Sequence, residues 1–131
     1  MIPTASSAEA TDVDRQSSAK GVRQAPAAGR MIELMELAAL RLMKSRLRDG
    51  ESSVGIGMEV THATSAAVRG TIRAVATYRS VSGRMHRFTI NAFDETGLIG
   101  TCEHTRAVVP EKRLLALTRR GVGKPDRPLS A

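Results

Sequence analysis

The feature that most constrains the fold of this chain is one long apolar segment over residues 29–48. The run MIELMELAALRLMKSRLR consists almost entirely of residues that favour helix, and its apolar side chains recur at steps of three and four. Apolar side chains cover so much of the first three turns that the helix is expected to be buried on most of its sides. Asp49 and Gly50 follow, a pair typical of a helix end. The sequence therefore predicts one central helix.

The residues after this helix alternate in the manner of β-strands. Apolar side chains recur at every second position in four segments, at 54–62, 70–80, 88–92 and 98–109. Turn sequences separate the last three segments, and Pro110 ends the fourth. Residues 111–120 indicate a short terminal helix or tail. One buried helix followed by a four-strand meander predicts an α+β fold, in which an antiparallel sheet wraps around the helix.

The two ends of the chain differ from this middle part. Residues 1–25 are rich in Ala, Ser, Thr and charge without a sustained period, which predicts a flexible N-terminal arm with no strand. The folded domain is expected over 26–120, followed by a basic disordered tail over 121–131. A chain of 131 residues has room for one such domain.

The positive charge of the chain raises the question of nucleic-acid binding. There are 20 Lys and Arg against 13 Asp and Glu, a formal net charge of +7. Residues 110–131 alone hold six basic and two acidic side chains, a net +4, so most of the excess lies near the end of the chain. Proteins that bind single strands usually stack bases on aromatic side chains, and this chain has one Tyr, two Phe and no Trp. Specific nucleic-acid binding is therefore not expected.

Several other classes of protein are also disfavoured. Cys102 is the single cysteine, so an intrachain disulfide framework is excluded, and it is expected to be a small packed side chain rather than a nucleophile. The three histidines show no spacing that suits a metal site. No apolar run approaches the length of a membrane span, and the first residues lack the basic and apolar regions of a secretory signal. A cytoplasmic protein without membrane attachment is expected.

Three pieces of sequence carry a family resemblance. They are LME at 34–36 on the helix, SVG and VTH at 53–55 and 60–62 on the next strand, and GLIGTCEHTRAVV at 97–109. Over about residues 25–110 the chain resembles the fluoroacetyl-CoA thioesterase family of hot-dog proteins. The resemblance implies a curved antiparallel sheet around one helix, a homodimer with active sites at the interface, and hydrolysis of small acyl-CoA thioesters without a metal.

The resemblance also implies site residues. The acidic catalytic position of the family matches Glu36 and its catalytic histidine matches His62. A glycine that lines the acyl site of the family matches Gly55, and Ala28 and Gly29 at the start of the helix are the other expected substrate-binding positions. The family places a threonine hydroxyl where this chain has Ala28, so a covalent threonyl intermediate is not expected. The family also opens with a β-strand, which the N-terminal arm does not show in its pattern, so this strand is predicted to be missing or unrecognised.

The residue types fit the hydrolysis of a thioester, which needs an attacking oxygen, a proton acceptor and donors for the oxyanion. Glu36 lies among apolar helix residues, and a partly desolvated carboxylate is a stronger base. The alternative is an ordinary solvated glutamate, paired with Arg41. The free N–H groups around Gly29 are candidates for binding the oxyanion.

His62 ends a strand on which Val54, Ile56, Met58 and Val60 are expected to share its face. It is a candidate to orient or deprotonate water, or to protonate the leaving thiolate. The alternative is a hydrogen-bonded histidine at the rim of the core. His104 and His86 are weaker candidates, and a structural or interface role is favoured for His104.

The sequence thus predicts a thioesterase-like enzyme that acts on an acyl-CoA or acyl-carrier-protein substrate, with Glu36 and His62 activating water and no cofactor. Two alternatives remain open: the same pocket used for proton transfer by an isomerase or lyase, or a non-catalytic protein that binds acyl thioesters. Basic side chains are expected near the CoA phosphates. The candidates are Arg69, Arg73, Arg79, Arg84, Arg87 and Arg106.

Overall fold

A computed structural model describes residues 5–13, 27–62 and 68–121 of the chain. These residues form, in chain order, β1 (Ser7–Thr11), α1 (Ala27–Lys44), β2 (Glu51–His62), β3 (Arg73–Ser82), β4 (Met85–Asp94), β5 (Gly97–Pro110) and α2 (Glu111–Gly121). The strands make one antiparallel sheet, and the α+β architecture predicted from the sequence is confirmed.

Helix α1 packs one apolar face against the sheet. Its inward side chains are at most 1% exposed and comprise Met31, Leu34, Met35, Ala38, Ala39, Leu42 and Met43. The opposite side is open, since Glu33, Glu36 and Arg41 are exposed and Leu40 is 44% exposed. The expectation that the helix is buried on most of its sides is therefore wrong for the single chain. The helix also ends at Lys44, before the predicted stop at Asp49.

The order of strands in the sheet is β1-β3-β4-β5-β2. Strands β3, β4 and β5 follow one another through short turns, as a meander does. Strand β2 does not join this meander at β3 but pairs with β5 at the far edge, so the predicted four-strand succession is only partly right. Helix α1 lies mainly over β1, β3 and β4. The helix-facing surface of β5 and β2, here called the inner face, is consequently less covered.

The predicted absence of a strand in residues 1–25 is wrong. Strand β1 pairs with β3 over its whole length, and Ala10 is fully buried beneath α1. The alternation of Ala8 and Ala10 with polar neighbours is weak because alanine is a poor marker of periodicity. The other parts of the predicted arm, 1–4 and 14–25, lie outside the described residues, as do residues 122–131 of the predicted tail.

A β-bulge in β2 changes which side chains face inward. The register pairs Gly55 with Arg106 and Met58 with His104, and shifts between Gly55 and Gly57. Arg106 and His104 are two residues apart on β5 and so share one face, which places Gly55 and Met58 on that same face. Without the bulge, residues 55 and 58 would point to opposite sides of the sheet.

Because of the bulge, the residues that share a face with His62 differ from those predicted. His62 shares the inner face with Met58 and Val60, as expected, because these residues follow the bulge at even spacing. Val54 precedes the bulge and pairs with Ala107, so it lies on the outer face. Ile56 is the extra residue of the bulge and is 53% exposed. A single inserted residue is enough to invert the phase of a strand.

Small residues allow α1 to approach the sheet closely. Ala74, Ala76 and Ala92 are fully buried below the helix. A Cβ atom on Gly100 would lie 2.6 Å from the sulfur of Met31, so the end of the Met31 side chain would have to shift to admit a larger residue where α1 crosses β5. In the described residues no helix is long and apolar enough to cross a membrane.

Candidate active site

The candidate site lies on the inner face of β5 and β2, beside the open flank of α1. Three inward residues of β5, Cys102, His104 and Arg106, are at most 5% exposed. The facing residues of β2 are more open, and both Gly55 and His62 are exposed. We call this strip of the inner face, with β5 as its floor and the edge strand β2 as its outer rim, the candidate groove.

Glu36 borders this groove from α1. Its side chain is exposed in the single chain, so the predicted desolvation by helix neighbours is not present there. Its negative charge nevertheless acts on the groove floor. Burial lowers the pKa values of His104 and Arg106, and the Glu36 charge opposes that shift. Burial raises the pKa of Cys102, and the Glu36 charge adds to that shift. Arg41, the alternative partner predicted for Glu36, donates from Nη1 to the carbonyl oxygen of Glu9 at 2.9 Å.

His62 lies at one end of the groove. It pairs with Gly100, on which Met31 of α1 packs. Ala28 is one turn before Met31, so the start of α1 lies near the same end. We call the part of the groove bordered by Ala28, Gly29 and His62 the His62 end.

The start of α1 is held in place by a buried carboxylate. Nη2 of Arg30 donates to Oδ2 of Asp12 at 2.6 Å, and the backbone N–H of Ile72 donates to the same oxygen at 2.8 Å. Asp12 is 7% exposed. This ion pair connects the first turn of the helix to the end of β1 and to the residues before β3.

Gly55 lies in the other half of the groove. A Cβ atom there would meet Nη1 of Arg106 at 3.4 Å and Cε1 of His104 at 3.5 Å. The missing side chain therefore leaves space beside the guanidinium of Arg106, which is 5% exposed. We call the part bordered by Glu36, Gly55 and Arg106 the Gly55 end.

Arg106 is held by neutral partners. Nε donates to Oγ of Ser53 at 2.9 Å and Nη2 donates to the carbonyl oxygen of Ser53 at 3.2 Å. Nη1 lies 3.3 Å from Nε2 of His104. Burial lowers the pKa of Arg106 and the charge of Glu36 opposes this, yet a guanidinium remains protonated at any physiological pH. The groove floor thus carries a fixed positive charge.

His104 connects Arg106 to the bulge. Its Nδ1 lies 2.8 Å from the carbonyl oxygen of Gly57, while its Nε2 faces Arg106. Burial lowers the pKa of His104 most, with the Gly57 hydrogen bond opposing and the Arg106 charge adding to the lowering. His104 is therefore a neutral, buried side chain, in agreement with the structural role favoured for it.

The two ends of the groove are far apart within one chain. Gly55 and His62 are seven residues apart on one strand, which corresponds to roughly 20 Å after allowance for the bulge. Ala28 and Glu36 are eight residues apart on one helix, or about 12 Å. Both residues of the predicted catalytic pair are described, and no hydrogen bond or ion pair joins Glu36 to His62 in that part of the chain. A single subunit does not bring all the predicted site residues together.

Sequence reasoning missed Ser53 and the joint placement of His104 and Arg106. The signal was present in the spacing, because Cys102, His104 and Arg106 alternate and thus share one strand face. Two polar side chains, His104 and Arg106, on one buried face are unusual and indicate a candidate site. Only the register shows that this face is the inner one.

The remaining arginines named as candidates for CoA phosphates are outside the groove floor. Arg73, Arg79 and Arg87 extend from the outer face of the sheet or from a bulge, and Arg69 and Arg84 lie in connecting segments. Of the six, Arg106 alone combines burial with the inner face.

His86 belongs to a different cluster. Its Nδ1 and the hydroxyl of Tyr78 are 2.8 Å apart, and the guanidinium of Arg46 lies 3.3 Å above the Tyr78 ring. Burial and the charge of Arg46 lower the pKa of His86, and Glu51 opposes this. The cluster attaches the end of α1 to β3 and β4.

Cys102 is a packed side chain, as predicted. It is 1% exposed, and burial raises the pKa of its thiol to about 11. A thiol of this kind is protonated at neutral pH and is not a nucleophile. In residues 5–13, 27–62 and 68–121, no group of three or more His, Cys, Asp or Glu side chains is arranged to hold a metal ion.

Comparison with known proteins gives the same relatives by sequence and by structure. Residues 9–112 match the family described as fluoroacetyl-CoA-specific thioesterase. The fluoroacetyl-CoA thioesterase of Streptantibioticus cattleyicolor is 37% identical over 93 residues, which is 71% of this chain and 67% of that protein.

Two solved structures are similar over nearly their whole lengths. The fluoroacetyl-CoA thioesterase FlK superposes with a TM-score of 0.70 at 26% identity, covering 93% of this chain and 98% of the other. A thioesterase superfamily member from Thermus thermophilus superposes with a TM-score of 0.69 at 26% identity, covering 92% and 94%. These neighbours confirm the predicted hot-dog fold.

Proposed function

The chain belongs to the fluoroacetyl-CoA-specific thioesterase family and hydrolyses acyl-CoA thioesters, and we propose that it does so in a groove completed by a second copy of the chain. One chain supplies Glu36, Gly55 and Arg106. The partner supplies the residues of its His62 end. The proposal includes the predicted substrate-binding positions Ala28 and Gly29.

The observation that supports this proposal most is that the charge of Glu36 acts on the buried side chains of the groove floor. The carboxylate stands at the open side of the groove and acts on His104 and Arg106. A base placed beside a fixed cation accepts a proton from water while the cation stabilises the negative charge that develops on the thioester oxygen. These are two of the three requirements for hydrolysis, and both lie at the Gly55 end.

The exposed edge strand β2 supports a dimer that brings the His62 end of one chain to the Gly55 end of another. Strand β2 is the edge of the sheet, and its exposed residues include Gly55, Ile56, Gly57, Glu59 and Thr61. An uncovered edge strand of 12 residues without Lys or Pro is suited to pairing with another strand. Antiparallel pairing of β2 with its copy, about a two-fold axis near Met58, places the His62 end of one chain at the Gly55 end of the other.

The proposed reaction is a direct hydrolysis. Glu36 accepts a proton from water as the water oxygen attacks the thioester carbonyl carbon. The carbon–sulfur bond then breaks, and the imidazolium form of His62 gives a proton to the departing thiolate. The products are a carboxylic acid, which ionises, and a free thiol. No metal or cofactor takes part.

Ala28 distinguishes this route from one with a covalent intermediate. Its methyl side chain offers no hydroxyl, so the attacking oxygen is that of water in this proposal. Ala28 is exposed in the single chain and lies in the first turn of α1, where free N–H groups attract negative charge. It lines the acyl site without taking part in bond formation.

We place the enzyme in the cytoplasm, where acyl-CoA and acyl-carrier-protein substrates both occur. Arg106 is the only basic candidate on the groove floor among the described arginines, so recognition of the carrier depends on side chains at its rim. Both carriers end in the same phosphopantetheine arm, which is the part that enters the groove.

The test is a panel of acyl-CoA and acyl-carrier-protein thioesters with short acyl groups. Release of free thiol is followed together with mass spectrometry of the acyl product. Thiol release that is lost in both Glu36→Gln and His62→Ala supports the proposal. Rearranged acyl groups without thiol would instead indicate an isomerase or lyase, and binding without any product would indicate a non-catalytic protein.

A further inference from the structure

His104 is buried in the floor of the groove and takes no part in the proposed proton transfers. It is 2% exposed, and its ring lies next to that of Phe88, with 6.1 Å between their centroids. Both of its ring nitrogens have polar neighbours, the carbonyl oxygen of Gly57 and Nη1 of Arg106. A histidine used only to fill space would not need either.

The two neighbours determine the protonation of the ring. A carbonyl oxygen only accepts, so Nδ1 of His104 must carry the proton and donate to Gly57. A guanidinium only donates, so Nε2 must be unprotonated and accept from Arg106. The ring is therefore neutral with its proton on Nδ1. The groups that act on it electrostatically are Arg106, which disfavours protonation, and Glu36, which favours it.

The same two hydrogen bonds connect two parts of the groove floor. Nδ1 of His104 contacts the carbonyl oxygen of Gly57, which follows the bulge, and Nε2 contacts the guanidinium of Arg106 beneath Gly55. A bulge leaves a backbone group outside the ladder, and Nδ1 satisfies the Gly57 oxygen at 2.8 Å. The position of Gly55 and the direction of Arg106 thus depend on one ring.

We propose that His104 is a positioning residue for the thioesterase reaction, which fixes Arg106 and the Gly55–Gly57 bulge relative to each other and does not itself exchange protons. This inference rests on the proposed function, in which the Gly55 end binds the reacting carbonyl. Displacement of a catalytic group by about 1 Å lowers rates by about 100-fold, so a ring that links two parts of the site affects turnover.

The first test compares two substitutions of similar size. A glutamine amide has a donor and an acceptor separated by one carbon, like the two ring nitrogens, whereas leucine has neither. We expect His104→Gln to keep kcat within about threefold and the wild-type pH profile, and His104→Leu to lose about 10- to 100-fold in kcat with a smaller change in KM. Loss of activity in His104→Gln equal to that in His104→Leu would overturn the proposal, since it would make the ring itself a catalytic acid or base.

The second test separates positioning from general stability. In an Arg106→Met background, His104→Leu should lower kcat by a clearly smaller factor than in the wild type, because one of the two groups that the ring positions is already gone. A merely structural histidine would lower kcat by the same factor in both backgrounds. Thermal unfolding of each variant identifies those that fail to fold and are excluded from the comparison.

The third test does not depend on activity. Long-range proton–nitrogen spectra of the protein labelled with ¹⁵N-histidine report which ring nitrogen is protonated. We expect His104 to show the neutral form with its proton on Nδ1 at neutral pH. An imidazolium, or a proton on Nε2, would overturn the inference. If the wild-type protein hydrolyses no thioester, the proposed function fails and this spectrum still decides the state of His104.

Discussion

Gly55 and His62 lie on the same face of one strand, at opposite ends of the candidate groove. The register pairs Gly55 with Arg106 and His62 with Gly100. The bulge at Ile56 brings them onto one face in spite of their odd spacing in sequence. Their separation of roughly 20 Å is too large for both to touch one acyl group. In the dimer that we propose, one copy of the chain supplies the Gly55 end of each site and the other copy supplies the His62 end.

This arrangement predicts complementation between two inactive variants. When Glu36→Gln and His62→Ala chains are produced together, a mixed dimer has one site with both substitutions and one site with neither. Random assembly makes half of the dimers mixed, so the preparation should recover about a quarter of wild-type activity. The measurement is the specific activity of the unfractionated co-expressed chains, and mixed dimers isolated through two different affinity tags should show about half of the wild-type activity. Activity no higher than that of either parent would show that Glu36 and His62 act within one chain.

Removing the carboxylate of Glu36 should abolish most turnover and leave the fold intact. We expect Glu36→Gln to lower kcat by about 100-fold or more, the effect typical of a general base. Because the side chain is exposed on α1, the midpoint of thermal unfolding should change little. Glu33→Gln, one turn earlier and also exposed, is the matched control and should keep its activity.

The two glycines beside the bulge should respond differently to alanine. At Gly55 the new methyl group meets Nη1 of Arg106 at 3.4 Å and covers it, whereas at Gly57 nothing lies within 4 Å. We expect Gly55→Ala to lower kcat/KM by about tenfold, through one weakened electrostatic contact. Gly57→Ala should retain activity and gain a few tenths of a kcal/mol in stability from reduced chain entropy. Equal activity of the two variants in steady-state assays would contradict the assigned role of Gly55.

Substitution of Gly100 should destabilise the protein. A Cβ atom there lies 2.6 Å from the sulfur of Met31 and 3.3 Å from the carbonyl oxygen of Thr61. The end of the Met31 side chain can shift, so Gly100→Ala should lower the free energy of unfolding in urea by about 1 kcal/mol, at the low end of the cost of overpacking. Shortening the partner in Met31→Val/Gly100→Ala should lose less than the sum of the two single substitutions. Strict additivity would show that Met31 is not the obstacle.

The protonation of His104 predicts a loss of stability in acid. Burial lowers the pKa of this ring in the folded state, so the unfolded chain binds a proton first as the pH falls. The contribution of His104 to stability is therefore fully present above 6.5, the pKa of the ring in the unfolded chain, and it is lost as the pH falls below that value. His104→Gln removes this contribution, and its free energy of unfolding should depend less on pH between about 6.5 and 5 than that of the wild type. Identical slopes for both proteins would contradict the neutral assignment.

The helix and three strands of the sheet could be predicted from local pattern alone. The steps of three and four in α1 and the alternation in β3 and β5 come from burial of one face, which sequence periodicity records directly. Strand β1 could not be predicted in this way, because Ala8 and Ala10 carry too little apolar surface to mark a face. The phase of β2 could not be predicted either, since a bulge reverses alternation without any change in composition.

The sequence by itself determined which chemical groups the proposed site has: the carboxylate of Glu36, the imidazole of His62 and the absence of a hydroxyl at Ala28. Only the tertiary structure decided how they are distributed, because strand order and register arise from contacts between residues that are far apart in the chain. Those contacts place Arg106 and His104 beneath Gly55 and leave His62 at the other end of the groove. The periodicity of a sequence shows which face of a strand or helix a residue lies on. It does not show how far apart two residues are in the folded sheet.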